Sequence, residues 1–149
     1  MDQKFLKYLY DSFTKLVEKY GFIKSTELNE EGVYSIEYSS DTFVIKLEKY
    51  RREFYVALYK TGYPDKGVNL FNLLSYLNQT SSDVPESNYF KEEKDLDECY
   101  KKQFNYISDT IYQNFDAIND FFKSGNHELK MVDIRKFMLS KYPELFKRT

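Results

Sequence analysis

The sequence predicts an α+β domain. It reads as an N-terminal helix, an antiparallel meander of three to four strands, then a short helix, a long helix and a C-terminal helix packed on one sheet face. Three observations predict this. Apolar residues alternate at period two through Val33–Lys60, which places them on one face of successive strands. Phe5, Leu9, Phe13, Leu16 and Tyr20 recur at helical spacing before that stretch, and Leu96, Tyr100, Phe104, Ile107, Ile111, Phe115, Ile118 and Phe122 after it. A sheet with one apolar and one polar face needs such helices as cover.

The first helix is expected over Asp2–Tyr20, with Asp2 at its N-terminus and Gly21 closing it in the left-handed conformation. Phe22–Leu28 reads as a strand, turned by Asn29-Glu30-Glu31-Gly32 into Val33, with Lys24 facing Glu37. In the meander, one register pairs Tyr38 with Phe43, Ile36 with Ile45, Leu47 with Phe54, Ile45 with Val56 and Phe43 with Leu58. It keeps all the apolar sets on one face, and a slip of one residue would turn a strand outward. The other face carries Ser35, Glu37, Lys46, Glu48, Glu53, Tyr55 and Tyr59, with Val44. Thr61–Gly67 is a loop, and Asn69 caps a short helix over Leu70–Leu77. Gln79–Asn88 reads as a mobile surface loop. One long helix is expected over Lys91–Lys123, its acidic start complementing the helix dipole. Gly125 ends it. A last helix follows over Glu128–Lys141 with Leu129, Ile134, Phe137 and Met138 apolar. Pro143 stops that helix, and Leu145 and Phe146 dock a final turn.

A chain of 149 residues is expected to form a single domain, 1–149. One cysteine excludes an internal disulfide and fits a reducing compartment. The start, Met1-Asp2-Gln3-Lys4, opens an amphipathic pattern, and no apolar run approaches the ~20 residues needed to span a bilayer. A cytoplasmic protein without membrane contact is the expectation. The net charge of −2, from 22 basic and 24 acidic residues, is no footprint for nucleic acid. The 15 Tyr and 13 Phe accompany plentiful Lys and Asn, only two Ala and four Arg. That pattern matches the bias of an AT-rich genome, so aromatic abundance alone does not mark a binding site.

The sequence shows no catalytic signature. His127, the only histidine, lies in Gly125-Asn126-His127-Glu128 at the mouth of a helix without a local nucleophile or metal partner and is expected to be an exposed loop histidine or an N-cap neighbour. Cys99 is expected in the core, where apolar surroundings make a thiol inert. One Cys and one His exclude a structural zinc site within one chain. The acids between Glu92 and Glu98 lack the spacing and glycine of a calcium loop. Ser39-Ser40 and Ser81-Ser82 have no histidine partner in sequence context, and no phosphate-binding loop, dinucleotide fingerprint or nucleophile elbow occurs. No metal or cofactor is expected.

The candidate binding surface is the polar face of the meander and its tip: Lys46, Tyr50, Arg51, Arg52, Tyr55 and Tyr59. Tyr and Arg anchor interfaces because they combine buried area with hydrogen bonding. Aromatics among basic residues also stack nucleic-acid bases, but Glu48 and Glu53 interrupt this patch and argue against that partner. A homodimer through the same face is an alternative.

Three places carry a resemblance, the meander with two stretches. Glu18-Lys19-Tyr20-Gly21-Phe22 leads from helix to meander; Val44-Ile45-Lys46-Leu47 and Glu53-Phe54-Tyr55-Val56-Ala57-Leu58 form strands; Ile118-Asn119-Asp120-Phe121-Phe122-Lys123-Ser124-Gly125 ends the long helix. The layout resembles small bacterial α+β proteins that include polymorphic-toxin immunity proteins. The resemblance implies a non-enzymatic protein that binds and blocks a toxin, and it carries over no site residues. Type III secretion chaperones share the same architectural ingredients, so a chaperone-like binding protein is the alternative. An enzyme with an unrecognised site is a further one.

Overall fold

The computed structural model describes residues 4–30, 33–81 and 83–142. Its elements, in order, are α1 (Lys4–Tyr20), β1 (Ile23–Glu30), β2 (Val33–Ser39), β3 (Phe43–Tyr50), β4 (Glu53–Lys60), β5 (Val68–Asn69), α2 (Leu70–Leu77), α3 (Leu96–Gln113), α4 (Phe115–Lys123) and α5 (His127–Lys141). The fold is α+β. The five strands form one antiparallel sheet in the order β1-β2-β3-β4-β5. The readings made for Asp2, the Glu31-Gly32 part of the first turn, Ser82, Pro143, Leu145 and Phe146 lie outside the described residues.

Aromatic rings carry much of the contact between helices and sheet. Phe5 of α1 meets Tyr34 edge-on at 4.9 Å, Phe13 meets Tyr38 at 4.9 Å, Phe104 of α3 meets Phe54 at 4.5 Å, and Phe122 of α4 stacks on Phe43 at 5.4 Å. Such ring pairs add about 0.5–1.5 kcal/mol each beyond their buried area. One continuous buried cluster takes residues from all five helices and from β2, β3 and β4. Ser108 on α3 donates to the Ser12 carbonyl at 2.6 Å and ties the two helices together.

The apolar faces are as the alternation requires, but the register differs by two residues. Ile36 pairs with Leu47 and Tyr38 with Ile45, and Leu47 pairs with Val56 and Ile45 with Leu58. A two-residue slip preserves every face, so turn chemistry and tertiary contacts must choose between registers. Ser40 does so at the first turn. Its Oγ accepts from the Thr42 and Phe43 amides, at 3.3 and 3.2 Å, and donates to the Phe43 carbonyl at 3.0 Å. At the second turn the pair Tyr50–Glu53 leaves Arg51-Arg52 as a two-residue loop, with Arg51 at φ 57°. A two-residue hairpin loop calls for a positive φ at its first position.

Other expectations need correcting. Lys24 does not face Glu37: a bulge at Ser25 brings Lys24 opposite Tyr38 and Thr26 opposite Glu37. Lys24 pairs instead with Glu27 at 3.4 Å beside Tyr10 of α1. The expected long helix is two. It starts at Leu96, because Asp95 takes the N-cap by accepting from the Glu98 amide at 3.1 Å. It breaks at Asn114, whose side-chain amide donates to the Thr110 carbonyl at 2.8 Å while its backbone turns to ψ 14°. An Asn side chain competes in this way with the helical backbone. Leu96 and Leu129, both placed in apolar stripes, are 45% and 69% exposed, and in the same first turns Cys99 and His127 take the buried side. The two-residue β5 is too short for alternation to show. Asn69 caps α2 as expected, accepting from the Phe71 and Asn72 amides.

Candidate functional site

The helices leave the second sheet face partly open. Tyr55 and Glu48, cross-strand partners, are exposed on it, and so is Tyr50 at the tip. Lys46 lies 3.9 Å from Glu48. Tyr59 is different from the expectation of an offered side chain. It is 9% exposed, and its hydroxyl crosses the sheet to donate to Glu37 at 2.9 Å. Burial, and then that hydrogen bond, push its phenol up to about 12. Val44, its cross-strand partner, is buried as well. A shallow groove of about 290 Å³ brings Lys46, Tyr55 and Tyr59 together beside Pro64 and Gly67.

Arg51 and Arg52 project from the hairpin tip, and the loop after α2 returns to meet them. Tyr50, Arg51, Arg52, Glu53, Tyr89 and Lys91 line a cleft of about 280 Å³. Lys91 pairs with Glu53 at 3.2 Å, and the Arg52 guanidinium donates to the Glu93 carbonyl at 2.6 Å. The Tyr55 ring lies against Tyr89 at 5.4 Å. Segment 83–93, adjoining and partly overlapping the stretch read as a mobile loop, is tied to α3. Tyr106 donates to the Glu86 carbonyl at 2.6 Å, and the buried Cys99 thiol donates to the Tyr89 carbonyl at 3.4 Å.

Sequence reasoning missed the residue that holds the tip. Gln103 on α3 is 1% exposed. Its Oε1 accepts from the Phe54 amide at 3.0 Å, and its Nε2 donates to the Arg52 carbonyl at 2.7 Å. β5 pairs only with Ala57 and Leu58, so Gln103 satisfies strand-edge groups that no neighbouring strand reaches. The signal was present: Cys99, Gln103 and Ile107 follow at spacing four along the buried side of α3. Gln103→Leu is expected to cost about 1–3 kcal/mol, because it leaves the buried Phe54 amide without a partner and removes the donor to the part-buried Arg52 carbonyl. Urea denaturation measures the loss; a change within ~0.3 kcal/mol would mean the tip is held otherwise.

The electrostatics of the tip centre on Glu53. The Tyr55 hydroxyl donates to it, and that bond, followed by Lys91 and Arg51, holds its carboxyl below the usual range. The same bond, and then burial, push Tyr55 up to about 12. A depressed carboxyl contributes stability above its unfolded value, and this is lost as pH falls through the folded value. The tip contacts should therefore hold above about pH 4.5 and loosen in more acid solution. Glu53→Gln should bring Tyr55 back toward the ordinary 10. Ultraviolet titration against a Tyr55→Phe background reads this, and an unmoved Tyr55 would show that Glu53 is not its partner.

His127 is the expected N-cap neighbour, but it is buried instead of exposed. Asn126 takes the N-cap position of α5, so His127 enters the first helical turn with its ring edge-on to Tyr63 at 5.2 Å. Its Nε2 has no hydrogen-bond partner among the described residues. Among those residues no group of three or more His, Cys, Asp or Glu side chains converges to hold a metal ion. No helix among them is long and apolar enough to cross a membrane.

The fold and this geometry define an α+β domain with helices against one sheet face and a tyrosine- and arginine-bearing tip beside the other. Comparisons with protein-family models, curated proteins and solved structures return no match.

Proposed function

We propose that this chain is a non-enzymatic protein-binding domain of the immunity type, acting in a bacterial cytoplasm by seating another protein, a toxin, on the meander tip and the adjoining polar face. The observation that carries this is the convergence of two remote segments, 50–53 and 89–91, into one cleft beside the open sheet face. Tyr50 and Tyr55 are 58% and 38% exposed there, next to Arg51 and Arg52. Aromatic and guanidinium side chains in that arrangement suit the centre of an interface. Lys46 and Glu48 supply charges of both signs around them, which favours partner selection. Tyr59 lines the same groove as Lys46 and Tyr55 and braces that face through its hydrogen bond to Glu37.

The experiment is affinity capture from the native host, with the captured protein then co-expressed with this chain. The expected result is a partner that stops growth alone and is tolerated when this chain is present. The Tyr50→Ala, Arg51→Ala, Tyr55→Ala triple variant should bind it at least about tenfold more weakly. Unchanged affinity of that variant would place the interface elsewhere. A secretion substrate as the captured protein would favour the chaperone reading.

A further inference from the structure

We propose that the tip cleft takes a short acidic segment of the partner protein: one large apolar or aromatic side chain enters between Tyr50 and Tyr89, and flanking carboxylates lie on Arg51, Arg52 and Lys91. This rests on the protein-binding reading above and adds the chemistry of what is bound. At about 280 Å³ the cleft falls just below the usual range for small-molecule pockets and suits a protruding side chain. Three cations and one acid, Glu53, line it. Lys91 pairs with that acid. The Arg51 guanidinium sits 5.3 Å from the Tyr50 ring centre, and the Arg52 guanidinium is hydrogen-bonded to a backbone carbonyl. Among the described residues neither arginine has a carboxylate within ion-pair distance. A guanidinium offers five N–H donors in a fork that matches a carboxylate, so both retain donors for an incoming acid.

The cleft is also pre-shaped. Its banks hold the non-glycine residues with positive φ among the described residues, Arg51 at 57° and Phe90 at 50°. Such backbone persists where surrounding contacts impose it. Here the Lys49 ammonium donates to the Arg51 carbonyl, Gln103 holds Arg52, and Cys99 holds the carbonyl of Tyr89. Backbone already fixed in this way loses little entropy on binding. A single acidic segment fits better than a nucleic-acid strand. A regular run of phosphates would pass Glu53 and the exposed Glu48 and Glu92, whereas separate carboxylates can settle on the cations between them.

The test selects a displayed library of random short peptides on the full chain and maps the bound peptides by amide chemical shifts. The enriched sequences should carry Asp or Glu on both sides of a large apolar residue, and the shifts should fall on Tyr50–Glu53 and Tyr89–Lys91. Arg51→Gly suits the positive φ, so the variant folds, yet it removes the guanidinium; it and Lys91→Glu should each weaken binding about tenfold. Enriched peptides without an acidic bias, or shifts confined to Lys46, Tyr55 and Tyr59, overturn this inference and leave the protein-binding reading standing. Oligothymidylate that binds the wild type and is lost with Arg51→Gly overturns it in favour of a nucleic-acid surface.

Discussion

Phe43→Ala is expected to cost about 3–5 kcal/mol, the usual range for truncating a large aromatic side chain in a core. Phe43 is fully buried at the start of β3. Its ring stacks on Phe122 at 5.4 Å, meets Phe22 edge-on at 5.3 Å and lies 5.8 Å from Phe115. One substitution therefore strips contacts from β3, from α4 and from the chain linking α1 to β1. Rigid rings on three sides cannot collapse into the space, so the cavity term adds to the lost transfer energy. Domains of this size have only about 5–15 kcal/mol of net stability. The loss should lower the thermal midpoint by roughly 10 °C. Urea denaturation measures it directly, and a loss below ~1 kcal/mol would show that α4 does not pack over this end of the sheet.

Ile107→Ala is the second large effect, at about 2–5 kcal/mol. Ile107 is 4% exposed near the middle of α3, in the cluster shared by the helices and the sheet. Ile107→Val should cost only about 0.5–1.5 kcal/mol, because it removes one methylene instead of most of the side chain. Leu129→Ala is the matched control: at 69% exposure it should change stability by less than ~0.5 kcal/mol. A loss under ~0.5 kcal/mol at Ile107 would mean that α3 does not bury this stripe.

The candidate site was legible in part. Tyr50, Arg51, Arg52 and Tyr55 stand out because Tyr and Arg gather around a hairpin turn, and the structure puts them beside one cleft and its adjoining face. Tyr59 reads the same way in sequence, yet its hydroxyl is committed to Glu37 two strands away. Tyr89 and Lys91 gave no signal of their own. They precede the apolar stripe of α3 and join the tip through Cys99, Glu53 and the Tyr55 ring.

Periodicity by itself determined the α+β class, the helical cover and the core face of β2, β3 and β4, because burial selects residues at a repeat of 3.6 or 2. It also placed α2, where Asn69 supplies the cap that the spacing requires. Turn chemistry decided which of two face-preserving registers the meander adopts, a local side-chain bond decided where the expected long helix breaks, and tertiary structure alone decided what meets the Arg51-Arg52 tip. A repeat of two cannot distinguish registers two residues apart, and an apolar stripe reads the same across a bend. The deciding interactions are individual hydrogen bonds, from Ser40 to Phe43, from Asn114 to Thr110, from Gln103 to Arg52 and from the Phe54 amide to Gln103. Whether such a side chain turns to solvent or to a backbone group depends on what the fold brings within reach, and in the Gln103 bonds the partners lie 51 and 49 residues away.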